Sequence, residues 1–83
     1  MLSILYFASL RERVGLASEM IALPATATVG GLIEVLRARG GAWIDALAAN
    51  KPWRVAVNQD MAALDTPLNA GDEVAIFPPV TGG

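Results

Sequence analysis

The chain has 83 residues, with no cysteine and no histidine, and a formal charge of −2 from six basic and eight acidic side chains. Such a length supports one modest core in one domain. The missing residue types exclude disulfides, thiolate or histidine-ligated metal centres, a self-contained Ser-His hydrolase and a persulfide carried on a side chain. The cations are scattered along the sequence, which leaves no basic footprint for nucleic acid or an anionic membrane. Hydrophobic residues make up 54% of the chain, a large share for so small an interior, so part of the surface is expected to be an apolar docking face.

Leu2 to Phe7 is a short run of large apolar and aromatic residues, too brief for a stable helix and suited to a buried strand. It lacks a basic leader and meets Arg11-Glu12-Arg13 too soon to be a signal segment or a membrane span, so a cytoplasmic protein is expected. A helical turn over Ala8 to Val14 and a reversal at Gly15 lead into a second strand, Ser18 to Leu23, antiparallel to the first. Thr28 is a good helix N-cap. Val29, Leu32, Ile33 and Leu36 follow at i, i+3, i+4 and i+7, one apolar stripe that faces a core, and Gly40-Gly41 ends the helix. Gly30-Gly31 falls inside that pattern and Gly40-Gly41 at its C-terminal side, where the helix dipole repels anions, so neither pair reads as a phosphate loop.

Trp43, Ile44, Leu47 and Ala48 suggest a second short helix whose aromatic plugs the core. Arg54-Val55-Ala56-Val57-Asn58 alternates cleanly as a half-buried strand, and Asn58-Gln59-Asp60 forms a turn. The acids Asp60, Asp65, Asp72 and Glu73 do not have calcium-loop spacing and read as solvated turns, so no metal site is expected. Turn chemistry at Asn69-Ala70-Gly71-Asp72 introduces a last strand from Glu73 to Phe77. Pro78-Pro79 then ends the sheet, because proline cannot donate to a ladder, and starts a stiff, extended tail. Gly82-Gly83 closes the chain with nothing to crowd the last carbonyl carbon. The expected division is a body over residues 1–77 and an extended, flexible tail over residues 78–83.

Gly71-Asp72-Glu73-Val74-Ala75-Ile76-Phe77-Pro78-Pro79-Val80-Thr81-Gly82-Gly83 resembles the ending of the small subunit of molybdopterin synthase, the MoaD-like sulfur carriers. Tyr6-Phe7-Ala8 with Leu10-Arg11-Glu12, and Val55-Ala56-Val57-Asn58-Gln59, resemble that family's first strand and loop and its internal strand and turn. The resemblance implies an α+β domain of the β-grasp, ubiquitin-like fold: a mixed sheet with one main helix on one face, its first and last strands central and parallel. It also implies that Gly83 is the reactive group. An adenylyltransferase of the ubiquitin-activating type adenylates its carboxylate at the expense of ATP, and a sulfur-donor protein converts it to a thiocarboxylate. The tail then enters the large subunit of molybdopterin synthase and gives its sulfur to cyclic pyranopterin monophosphate. On this reading Pro78, Pro79, Val80, Thr81 and Gly82 are channel contacts, no cofactor is held by the chain itself, and the catalytic acids and bases belong to the partners.

Strand parity adds a candidate docking patch. Val74 and Ile76 share one face of the last strand, and Glu73, Ala75 and Phe77 share the other. Leu5 and Phe7 have the parity of Ser3. If the charged and polar residues mark the uncovered face, Leu5, Phe7, Ala75 and Phe77 form an apolar patch at the root of the tail, with Phe77 largely uncovered. Other readings are a sulfur carrier for another pathway such as thiamine thiazole synthesis, a ubiquitin-like modifier that forms isopeptides, and an interaction domain with an inert tail.

Overall fold

The computed structural model describes residues 1–79. Along the chain run β1 (Leu2–Tyr6), α1 (Ala8–Val14), β2 (Ser18–Ile21), α2 (Val29–Arg37), α3 (Ala42–Ala46), β3 (Arg54–Val57), β4 (Asp60–Ala62) and β5 (Glu73–Phe77). The strands form one mixed sheet in the order β2-β1-β5-β3-β4. Only the central β1–β5 pair is parallel, with Ser3 beside Glu73 and Tyr6 beside Ile76; the β1–β2, β3–β5 and β3–β4 pairs are antiparallel. This is the α+β, β-grasp architecture.

The helices pack on one face of the sheet. Leu2, Ile4 and Tyr6 of β1, Val55 of β3, and Val74 and Ile76 of β5 are buried against Val29, Leu32, Ile33 and Leu36 of α2, with Leu10 of α1, Ala46 of α3, Leu47 and Leu68 completing the cluster. Each fully buried Leu, Ile or Val in that layer contributes about 1.5–3 kcal/mol through loss of apolar surface to water. Helix α2 begins where the Thr28 hydroxyl accepts the Gly31 N–H at 3.1 Å, satisfying one of the helix's unpaired donors. Gly31 sits so close to the preceding loop that a Cβ there would collide with the Thr26 carbonyl.

Four local features depart from the sequence-based expectations. Ala8–Val14 is a full seven-residue helix rather than a single turn. Phe7 leaves β1 to become the N-cap of α1, although its backbone stays extended at φ −122°. Strand β2 stops at Ile21, short of Leu23. The three-residue β4 was not anticipated; it is paired to β3 through a tight reversal in which Asn58 and Gln59 both take positive φ, 50° and 72°. Two consecutive left-handed residues make the reversal whose twist matches paired strands, so the residues after it return along β3 instead of leaving as a loop.

Candidate functional site

Strand β5 is hydrogen-bonded on both sides, which fixes the point at which the tail leaves the body. Arg54 of β3 is the register partner of Phe77. On the other side, the Phe7 N–H donates to the Ile76 carbonyl at 3.2 Å. Pro78 and Pro79 follow directly and are half-buried. They line a cleft of about 240 Å³ together with Leu10 and Arg13 from α1, Ala46 from α3, and Trp53. Pro78 and Pro79 therefore lie against the α1–α3 side. Val80, Thr81, Gly82 and Gly83 lie outside the described residues.

The parity argument can be followed across the whole sheet. On the face away from the helices, one row runs Ser18, Leu5, Ala75, Ala56 and Met61 from β2 to β4. A second row holds Met20, Ser3 and Glu73. Phe7 extends the first strand's face beside the Phe77–Arg54 pair. The four sequence-derived patch residues thus share one face, but unequally: Phe7 is 44% exposed, whereas Leu5, Ala75 and Phe77 are only half-buried. Phe77 is less open than expected. Met61, 65% exposed, and the buried Ala56 belong to the same row and were missed. Only the recognition of β4 and its register could have revealed Met61 from sequence.

At the opposite end of β5 a polar clamp sets where the strand begins. The Asn58 amide donates to Asp72 at 3.1 Å, the Asn58 side-chain oxygen accepts the Glu73 N–H at 3.0 Å, and Asp72 accepts the Asn69 N–H at 2.8 Å. The bond from the Asn69 backbone, then that from Asn58, holds the Asp72 carboxyl below its ordinary range. Asp72 thus serves a turn. Among the described residues, no group of three acids is placed to hold a metal ion.

A second network ties the tail end of β1 to the helical layer. The Tyr6 hydroxyl donates to Glu19 at 2.7 Å, and Arg39 donates to both Glu19 carboxylate oxygens at 2.8 Å. The Arg39 guanidinium lies 4.6 Å from the centre of the Trp43 ring, which in turn meets the Tyr6 ring edge-on at 5.4 Å. Hydrogen bonding to Arg39 holds the Glu19 carboxyl down, and Arg39 is correspondingly raised by its bond to Glu19. Burial, reinforced by the bond to Glu19, pushes the Tyr6 phenol far up. This network braces strand and helices together and presents no nucleophile.

Comparison with known proteins fits that geometry. The sequence model of the ThiS family matches residues 4–83. The molybdopterin synthase sulfur carrier subunit of Escherichia coli K12 is 43% identical over 83 residues, covering all of both chains. A putative molybdopterin converting factor subunit 1 from Pyrococcus furiosus superposes with a TM-score of 0.79 at 31% identity, over 95% of this chain and 97% of that one. SAMP1 from Haloferax volcanii gives a TM-score of 0.75 at 31% identity, over 99% and 98% of the two chains.

Proposed function

This chain belongs to the ThiS family, and from that premise we propose that it is the sulfur carrier subunit of molybdopterin synthase, with Gly83 as the group that carries the sulfur. The observation that carries the reading is the placement of β5. The central strand of the sheet runs without a break into Pro78-Pro79, which puts the root of the tail beside an apolar face. Full-length identity of 43% to a sulfur carrier subunit supports it.

A free carboxylate is a poor acyl donor because its leaving group would be an oxide. Attack of a Gly83 carboxylate oxygen on the α-phosphorus of ATP releases pyrophosphate and leaves an acyl-adenylate. A persulfide sulfur on the donor then attacks the acyl carbon and AMP departs; a second thiol cleaves the resulting acyl disulfide, forming a disulfide with the donor's sulfur and leaving the terminus as a thiocarboxylate. The first step belongs to an adenylyltransferase partner and the second to a sulfur-donor protein, since the chain has no cysteine to hold the sulfur itself. Delivery to cyclic pyranopterin monophosphate takes place in the large synthase subunit, which receives Val80, Thr81 and Gly82 in a narrow channel. The uncovered sheet face, centred on Leu5, Ala75 and Phe77 with Phe7 at its margin, docks on that subunit. No helix among the described residues is long and apolar enough to cross a membrane, and a cytoplasmic location is the one that accords with the proposed ATP-dependent steps.

The likeness to SAMP1 keeps a modifier reading in view. Intact-mass measurement of the protein from cells separates the two. A replacement of one oxygen by sulfur at the terminus is expected, and isopeptide conjugates in its place would refute the carrier assignment.

A further inference from the structure

Arg37 and Lys51 are well separated in sequence, yet both line one cavity of about 380 Å³ between α2 and the β3–β4 hairpin. They are two of the six basic residues in a chain whose net charge is negative. Apolar residues, among them Ile33, Leu47 and Val55, make up the inner wall. Among the described residues the one acid in the lining, Glu34, contacts Arg37 only at 3.5 Å, with its side chain 74% exposed.

We propose that this cavity is a binding site for a small organic anion, an apolar or aromatic body bearing one carboxylate, sulfonate or phosphate. The apolar wall takes the body, and Arg37 and Lys51 take the charge. The cavity's size is that of a small-molecule site, and the combination of an apolar lining with a few convergent polar groups is what such sites require. Arg37 closes the last turn of α2, where the helix dipole is unfavourable to anions, so side chains and not backbone amides must hold the charge. Lys51 and Trp53 also line the cleft beneath Pro78 and Pro79, which puts the bound anion next to the root of the tail. The proposal is independent of the sulfur-carrier reading, because its test reads binding alone.

The test is an amide-shift titration of the ¹⁵N-labelled full chain with 2-naphthoate, with neutral 2-naphthalenemethanol and inorganic phosphate as separate arms. Saturable shifts are expected at Gly30, Ile33, Ala62 and Leu64, with Leu5 and Ala75 on the other face unmoved. The neutral analogue and phosphate alone should each bind at least about tenfold more weakly, a difference of ~1.4 kcal/mol. Lys51→Glu, at an exposed position that leaves the core intact, should weaken naphthoate by a similar factor, and Arg37→Gln should do the same. Shifts centred on Leu5 and Ala75, equal affinity for the neutral analogue, phosphate binding as tight as naphthoate, or unchanged affinity in Lys51→Glu would each overturn the assignment.

Discussion

Phe77, the last residue of β5, stands directly opposite Arg54 of β3, and both lie on the sheet face turned away from the buried helical layer. An aromatic ring beside a cation at the root of the tail is the kind of pair that anchors a protein interface. Phe77→Ala is therefore expected to weaken binding to the large synthase subunit by at least about 30-fold, equivalent to ~2 kcal/mol. Because Phe77 is only half-buried, stability should fall by less than the about 3–5 kcal/mol of a core Phe truncation. Calorimetric titration and denaturant unfolding of the same variant check both halves. Unchanged affinity with a core-sized stability loss would make Phe77 a packing residue.

Removing Gly83, or adding one residue after it, should abolish sulfur transfer in a reconstituted reaction and leave the unfolding midpoint unchanged, because β5 ends at Phe77. Gly82→Val should impair turnover more than Gly82→Ala, since a branched side chain widens the tail and narrows its conformations. Equal rates for the two variants would argue against a tight channel.

The Glu19 network predicts how stability depends on pH. Arg39 holds the Glu19 carboxyl below its ordinary 4.5, and Asp72 is likewise held below 3.8. Below those ordinary values the unfolded chain takes up protons that the folded one resists, so stability is fully present above about pH 5 and falls as the pH drops through the folded values. Tyr6 acts at the other end: its phenol is raised above 10.0, so its contribution is complete below that value and erodes as the pH climbs past it. Thermal unfolding across pH should show a plateau with both shoulders. Glu19→Gln should flatten the acid shoulder, and an unaltered profile would mean that the pair with Arg39 carries no linkage.

Two backbone positions make opposite predictions. Gly31→Ala, ordinarily favourable within a helix, should destabilise by about 1–3 kcal/mol, because the new methyl group meets the Thr26 carbonyl and the loop must move. Gln59→Gly should stabilise, by up to about 1 kcal/mol, because Gln59 holds φ 72°, a left-handed conformation that costs an L-residue. Urea unfolding of the two variants beside the parent protein checks both signs.

Much of the fold was legible because its longest elements carry local signals. The i, i+3, i+4, i+7 stripe behind Thr28 marks α2, and the continuous apolar runs of β1 and β5 mark central strands. Strand β4 was not legible. Asp60-Met61-Ala62 has no pattern of its own and becomes a strand only when the Asn58–Gln59 reversal lays it along β3. The Tyr6–Glu19–Arg39 network escaped for a related reason, since Glu19 lies thirteen residues from Tyr6 and twenty from Arg39 and nothing local pairs them. At the candidate site, parity placed Leu5, Ala75 and Phe77 on one face. Their degree of exposure depends on neighbouring side chains across the sheet, which parity alone does not supply.

The double bonding of β5 also has a mechanical meaning. A partner that draws the tail into a channel, or releases it afterwards, pulls on Phe77 along the strand's own axis. With β1 ladder bonds on one side and β3 ladder bonds on the other, that load falls on both rows in shear, so several bonds must yield together. An edge strand pulled across its axis would instead peel one bond at a time. On the proposed carrier reading, the domain can be hauled by its tail without unravelling, a tether whose anchorage outlasts the tugging it would transmit.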